Sequence, residues 1–121
     1  MKTILLVDDE PDFLEGARRI LESAGYRVLT APDARSGLEA ARKGPVSLAV
    51  LDVNLPDSDG FNLCREIRVQ NDGTDLPVLF LSVRREMRDI LSGIAAGARD
   101  FLTKPIGKSA LLTAVDRALA A

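Results

Sequence analysis

The run Leu48-Ala49-Val50-Leu51-Asp52 is the clearest indicator of the fold, because four consecutive apolar residues end in a single carboxylate. A strand with one face in water alternates apolar and polar residues, whereas this stretch is apolar at every position before its end. Such a run is typical of a parallel strand that is buried on both faces. The stretch therefore predicts a strand in a sheet that helices cover on both sides.

Similar apolar runs alternate with helical patterns along the chain and give five strand–helix pairs. The other predicted strands cover residues 4–7, 27–30, 78–81 and 101–103, and a polar loop over residues 70–75 precedes the fourth strand. Asp9 is the expected N-cap of the first helix, with Pro11 in its first turn and Gly25 beyond its end. The alternation predicts one α/β domain over residues 1–121, a doubly wound parallel sheet of the (βα)5 type.

The composition fits a single folded domain and excludes several classes of function. Of 121 residues, 46% are hydrophobic and 28% are charged, and the net charge of −2 gives no basic face for nucleic acid. The absence of histidine excludes a phosphohistidine on this chain, and Cys64, the single cysteine, excludes an internal disulfide. No apolar stretch approaches the roughly 20 residues that span a bilayer. We therefore predict a cytoplasmic protein with no direct nucleic-acid or membrane partner.

Polar residues stand where four of the predicted strands end. Asp8 and Asp9 follow the first strand, Asp52 ends the third, Ser82 follows the fourth, and Lys104 follows the fifth. Each residue alone could be a helix cap, a turn residue or a solvated side chain. In an open parallel sheet, however, ligands bind outside the carboxyl ends of the strands. We therefore expect three carboxylates, one hydroxyl and one ammonium to converge on one site.

This set of groups suits magnesium-dependent phosphoryl transfer. Three neighbouring carboxylates repel one another unless a cation neutralises them, and Mg²⁺ with Lys104 would bring their formal charge to zero. A carboxylate can attack a phosphoryl group, and the transfer mainly requires positioning and neutralisation of charge. Asp52, at the end of a buried strand, is the predicted phosphoacceptor. Lys104 and Ser82 would each contact a phosphoryl oxygen.

The same residues stand in motifs that resemble the receiver domains of two-component response regulators. The motifs are Leu6-Val7-Asp8-Asp9-Glu10, Leu51-Asp52-Val53-Asn54-Leu55-Pro56, Asp57-Ser58-Asp59-Gly60-Phe61, Phe80-Leu81-Ser82 and Asp100-Phe101-Leu102-Thr103-Lys104-Pro105. The resemblance covers the whole chain and includes the single-domain chemotaxis-type regulators. It implies a flavodoxin-like strand order of 2-1-3-4-5.

The resemblance also implies a metal site and a source of phosphate. Asp9 and Asp52 would bind Mg²⁺ directly, Asp8 would bind it through water, and the backbone carbonyl of Asn54 would be a further ligand. Asp52 would receive its phosphoryl group from a histidine kinase or a histidine phosphotransfer protein. Lys104 would contact the phosphate, and its peptide bond to the following proline would be cis.

The output implied by the resemblance depends on Ser82 and Phe101. The phosphoryl group would draw the Ser82 hydroxyl inward, and the Phe101 ring would rotate inward behind it. The surface formed by the fourth helix, fifth strand and fifth helix would then change and control a partner or an output domain, and this surface also allows a homodimer. Such a protein is a switch and not an enzyme, with only self-phosphorylation from phosphodonors and slow autodephosphorylation.

Two positions depart from the common pattern of that family. Val83 follows the switch hydroxyl where a smaller residue, often alanine, is usual, and we hypothesise altered kinetics of phosphate gain or loss. Phe101 lacks the hydroxyl of the tyrosine that many members carry, so an output that needs this hydroxyl is excluded.

Three other readings share parts of the pattern. A haloacid dehalogenase-type phosphatase carries an Asp-x-Asp motif at its nucleophile, whereas this chain has Asp52-Val53-Asn54 at that position. A flavodoxin-like electron carrier needs a phosphate loop after its first strand, where Asp8-Asp9-Glu10 would repel the flavin phosphate. A pseudo-receiver that docks partners without phosphorylation would be expected to lose an acidic residue or Lys104, and none is lost.

Overall fold

The computed structural model describes residues 1–71, 75–83 and 87–120, so residues 72–74 of the predicted polar loop lie outside the described residues. Strands and helices alternate in the order β1 (Thr3–Val7), α1 (Pro11–Ser23), β2 (Arg27–Ala31), α2 (Ala34–Arg42), β3 (Leu48–Asp52), α3 (Gly60–Gln70), β4 (Val78–Ser82), α4 (Met87–Ala95), β5 (Asp100–Thr103) and α5 (Lys108–Ala120). The strands form a parallel sheet in the order β2-β1-β3-β4-β5. The predicted fold class and strand order are confirmed.

Two apolar cores cover the two faces of the sheet. Along β1, Leu5 and Val7 belong to one core, and Ile4 and Leu6 belong to the other. The first core contains residues of α2 and α3, and the second contains residues of α1 and α5. Every residue of β3 is buried, as expected for a strand with helices on both sides.

The start of α1 differs from the prediction that Asp9 is its N-cap. The N-cap residue is Glu10, and its side chain makes no capping hydrogen bond. The Asp8 carboxylate accepts a hydrogen bond from the Glu10 backbone N–H at 2.9 Å, so the turn extends one residue further than expected. Pro11 then occupies the first helical position, where its missing N–H costs nothing.

The start of α2 is held by two carboxylates from different parts of the chain. Asp33 is the N-cap, and its side chain accepts a hydrogen bond from the Ser36 N–H at 2.8 Å. Asp57, in the loop after β3, accepts from the Ala34 N–H at 2.9 Å and from the Arg35 N–H at 3.0 Å. Asp57 therefore fastens the loop that follows Asp52 to the first turn of α2.

The strand register places the carboxyl ends of the strands side by side. Val7 pairs with Leu51, and Ser82 pairs with Thr103. The residues that follow these ends therefore meet at one edge of the sheet. Within the described part of the chain, no helix combines the length and the apolar character that crossing a membrane requires.

Candidate functional site at the carboxyl edge of the sheet

The buried polar side chains of the described residues lie together at this edge. They are Asp8, Asp52, Ser82 and Lys104, with exposed fractions of 0%, 6%, 1% and 9%. Burying polar and charged groups costs free energy unless they are paired. Four such groups at the edge where parallel sheets bind ligands indicate a functional site.

Lys104 is the centre of the site's ion pairs. Its Nζ lies 2.6 Å from Asp8 Oδ2, 2.9 Å from Glu10 Oε1 and 3.2 Å from Asp52 Oδ2. The ammonium also lies 4.7 Å from the centre of the Phe13 ring, a cation–π contact. Burial lowers the pKa of Lys104, but hydrogen bonds with Asp8 and Glu10 outweigh it, so the pKa is raised overall. Lys104 is therefore a permanent positive charge beside Asp52.

Asp52 is held between opposing electrostatic influences. Its pKa is raised overall to about 6, mainly by burial and further by the nearby charge of Asp8. A hydrogen bond from the Asn54 backbone N–H to Asp52 Oδ1, at 2.9 Å, and the Lys104 ammonium both act in the opposite direction. At neutral pH the carboxylate is thus mostly ionised, although the protein environment opposes its charge.

Asp8, Asp9 and Asp52 have the arrangement of a cation site. Each offers a carboxylate oxygen, and these oxygens all lie within 4.8 Å of one another. Asp8 Oδ2 is buried and, apart from its ion pair with Lys104, has no hydrogen-bond partner among the described residues. Asp9 is exposed and leaves the site open to solvent. An open set of hard oxygen donors fits Mg²⁺, which keeps water or phosphate oxygens in its coordination shell.

The loop after β3 is packed tightly against Asp52. A Cβ atom at Gly60, the first residue of α3, would overlap the Asp52 carbonyl oxygen and lie 3.1 Å from its carbonyl carbon. The Gly60 N–H donates to the Val53 carbonyl at 2.9 Å, and Asn54 forms an antiparallel bridge with Asp59. These contacts hold the Asn54 backbone beside Asp52. The missing side chain of Gly60 is what permits this approach.

Ser82 lies on β4 and Phe101 lies on β5, the two strands on the opposite side of β3 from β1. The Ser82 carbonyl accepts a hydrogen bond from the Lys104 N–H at 2.8 Å, which joins the ends of β4 and β5. Phe101 is 8% exposed, and its ring centre lies 6.3 Å from that of Phe80. A Cβ atom at Gly93 on α4 would lie 3.1 Å from the Phe101 ring. Phe101 therefore fills the space between β5 and α4.

The structure brings the sequence-predicted residues to one edge and adds two more. Asp8, Asp9 and Asp52 share the acidic group, and the Lys104–Pro105 peptide bond is cis, as the resemblance implied. Sequence reasoning missed Glu10 and Phe13 as partners of Lys104. Glu10 stood in the quoted acidic motif, but its type and position were those of an ordinary first-turn carboxylate.

Comparison with known proteins points to one family. The sequence model of the response regulator receiver domain matches residues 4–116. The transcriptional regulatory protein CseB of Streptomyces avermitilis is 39% identical over 112 residues, which cover 93% of this chain and 46% of that protein. The probable transcriptional regulatory protein TcrX of Mycobacterium tuberculosis is 40% identical over 103 residues, covering 85% of this chain and 43% of that protein. The chain thus spans about half the length of these curated relatives.

Solved structures show the same fold over the whole chain. The chemotaxis protein CheY4 of Vibrio cholerae has a TM-score of 0.94 and 33% identity, with 98% of this chain and 99% of that chain covered. A CheY-like receiver domain protein of Methanospirillum hungatei has a TM-score of 0.92 and 28% identity, with 99% of this chain and 94% of that chain covered.

Proposed function

The chain belongs to the response regulator receiver domain family, and we propose from this premise that it is a switch controlled by phosphorylation of Asp52. Receiver domains are signalling modules of two-component systems and not conventional enzymes. The phosphoryl group comes from the phosphohistidine of a histidine kinase or of a histidine phosphotransfer protein. One receiver domain occupies residues 1–121 and acts in the cytoplasm. Its own chemistry is limited to self-phosphorylation from small phosphodonors and slow autodephosphorylation.

The observation that carries this proposal is a buried carboxylate that shares an ammonium with other acids. Asp52 lies 3.2 Å from Lys104 Nζ and is mostly ionised at neutral pH, so it can act as a nucleophile. An Asp52 oxygen attacks phosphorus, the bond from phosphorus to the donor histidine breaks, and the imidazole nitrogen keeps the electron pair. Lys104 balances the charge that the phosphoryl oxygens bring into the site.

Mg²⁺ is the proposed cofactor, held by Asp8, Asp9, Asp52 and the backbone carbonyl of Asn54. When bound, it neutralises carboxylate and phosphoryl charge in the site. Two observations support this assignment. Carboxylate oxygens of Asp8, Asp9 and Asp52 lie within 4.8 Å of one another, and Asp8 Oδ2 is buried. Asp8 and Asp9 lie on the loop after β1, and the ion pair with Lys104 holds the Asp8 carboxylate in place.

Ser82 and Phe101 are the proposed switch residues. Ser82 ends β4 beside Asp52, and a phosphoryl oxygen there can accept a hydrogen bond from its hydroxyl. Phe101 lies on the adjacent strand against α4, so a change at Ser82 reaches the α4-β5-α5 face through it. Leu91 and Ile94 on α4 are 57% and 66% exposed, which supports this face as a contact surface. The partner is a downstream protein, an output domain or a second copy of the chain, and not nucleic acid.

The test is covalent labelling of the intact protein. Acetyl phosphate with Mg²⁺ should add one phosphoryl group to the wild type, and intact mass spectrometry should find none on Asp52→Asn. Removal of divalent cations with EDTA should abolish labelling of the wild type. Incorporation that persists in Asp52→Asn would reject the assignment of the phosphoacceptor.

A further inference from the structure

Lys104 is surrounded by three carboxylates before any phosphoryl group arrives. An ammonium group has three hydrogens to donate, and carboxylate oxygens of Asp8, Glu10 and Asp52 lie 2.6, 2.9 and 3.2 Å from Nζ. A phosphoryl oxygen that binds this ammonium competes with these carboxylates for its hydrogens. The question is which of the three leaves.

The exposure of the three carboxylates distinguishes them. The Asp8 side chain is 0% exposed and the Asp52 side chain 8%, whereas the Glu10 side chain is 62% exposed. Separating a buried ion pair leaves charges without water, which is expensive, whereas an exposed carboxylate regains its hydration as it leaves. Asp52 remains in place because it carries the phosphoryl group, and its oxygen that is not bonded to phosphorus can still accept from Lys104. Glu10 is therefore the partner that is lost at the lowest cost.

Phe13 allows Lys104 to keep its place during this exchange. Its ring lies 4.7 Å from Nζ and does not compete for the ammonium hydrogens. Asp8 keeps its buried contact at 2.6 Å. The ammonium thus stays in position when the Glu10 carboxylate swings out into solvent.

We propose that Glu10 is a displaceable counterion of Lys104, a positioning residue that holds the ammonium in the unphosphorylated protein and yields to the phosphoryl group. This inference rests on the proposed phosphorylation of Asp52 and adds a determinant of its rate. Glu10 opposes phosphorylation in two ways, because it occupies Lys104 and because its negative charge repels the anionic donor.

Three variants separate these contributions. Glu10→Ala removes both the contact and the charge, and Glu10→Gln removes the charge but keeps an oxygen that can accept from Lys104. Asp12→Asn is the matched control, because Asp12 is an exposed acid in the first turn of the same helix and is not among the described contacts of Lys104. Thermal melts followed by circular dichroism establish that all three variants are folded.

The first measurement is the initial rate of labelling by acetyl phosphate with Mg²⁺ at low and at high salt. We expect Glu10→Ala to be labelled about two- to fivefold faster than the wild type, the range that a partly exposed ion pair supports, and Glu10→Gln to be intermediate. Asp12→Asn should change the rate by less than about 1.5-fold, and this change should vanish in 0.5 M NaCl because salt screens remote charges. The faster labelling of Glu10→Ala should persist in 0.5 M NaCl.

The second measurement reports the contact itself without phosphorylation. The ¹⁵N resonance of the Lys104 ammonium, in metal-free protein, should shift in both Glu10 variants and stay unchanged in Asp12→Asn. Equal labelling rates for Glu10→Ala and Asp12→Asn, slower labelling of Glu10→Ala, or an unshifted Lys104 resonance would each overturn the role of Glu10 alone. Failure of the wild type to take up phosphate, or uptake by Asp52→Asn, would instead overturn the proposed function on which it rests.

Discussion

The charge on Asp52 should make the unphosphorylated protein less stable at neutral pH than a variant without that charge. Burial, followed by the repulsion of Asp8, raises the Asp52 pKa from its usual value of 3.8 to about 6. Between these two values the folded state binds the proton more tightly than the unfolded chain does. The free energy of unfolding therefore falls as the pH rises through this interval.

The size of the effect follows from the pKa. A rise from 3.8 to about 6 corresponds to about 3 kcal/mol of destabilisation once Asp52 is fully ionised. The raised pKa already includes the favourable influence of Lys104, so Asp52→Asn removes the net cost of the charge, and Lys104 keeps Asp8 and Glu10 as partners. We therefore expect Asp52→Asn to be more stable than the wild type by about 1–3 kcal/mol at pH 7.5 and by nearly nothing at pH 4. Lys104, with its raised pKa, stays charged throughout and does not move this window.

Urea denaturation in EDTA at pH 4, 5.5 and 7.5 measures this difference. Circular dichroism is the suitable signal, because the chain has no tryptophan and one tyrosine. Asp12→Asn, the same chemical change at an exposed position, should show no comparable pH-dependent gain. Added Mg²⁺ should stabilise the wild type more than Asp52→Asn and so narrow the gap, since a ligand that binds the folded state stabilises it.

Two outcomes would contradict this prediction. A stability difference that is the same at pH 4 and pH 7.5 would mean that ionisation of Asp52 is not its cause. A variant that is less stable than the wild type at pH 7.5 would mean that the pairing with Lys104 outweighs the cost of burying Asp52.

Three further predictions concern the surroundings of the site. Gly60→Ala should lower the free energy of unfolding by about 1–3 kcal/mol and slow phosphoryl labelling, because its Cβ overlaps the Asp52 carbonyl. Gly16 lies in open space inside a helix, so Gly16→Ala should raise the free energy of unfolding by about 0.5–1 kcal/mol, and urea denaturation compares the two variants. Asp57→Ala should cost about 1 kcal/mol in the same assay, because α2 loses two hydrogen bonds at its start, and an unchanged value would show that water replaces them. Val83→Ala should alter the decay of the acyl phosphate, followed by intact mass, because this 63% exposed side chain directly follows Ser82, the proposed switch residue; an unchanged decay rate would remove the hypothesis.

The fold and the acidic core of the site could be predicted because their signals are local. The apolar run before Asp52 is readable as a doubly covered strand, and the rule that ligands bind at the carboxyl edge then groups Asp8, Asp9 and Lys104 with it. The structure places these groups as that rule requires. The predicted start of α1 was wrong by one residue. A hydrogen bond from the Glu10 backbone N–H to the Asp8 side chain fixes this start, and the apolar periodicity of the helix gives no sign of it.

The contacts that escaped prediction join positions far apart in sequence. Glu10 and Lys104 are separated by 94 positions, and Asp57 reaches the start of α2 across 22 and 23 positions. Whether these side chains meet depends on the angle at which a helix leaves its strand and on the path of a loop. Neither the helix angle nor the loop path can be predicted from composition or spacing. Glu10 could therefore not be distinguished from any other acidic residue at the start of α1.

The order of the strands has a consequence for the synthesis of this protein. β3 lies in the middle of the sheet, and the site draws Asp8 and Asp9 from one side of it and Ser82 and Lys104 from the other. A nascent or truncated chain that stops before residue 104 carries Asp52, the proposed phosphoacceptor, but lacks the cation beside it. The site is therefore assembled last, when the final strand is added, and on our proposal only a finished domain can receive a signal.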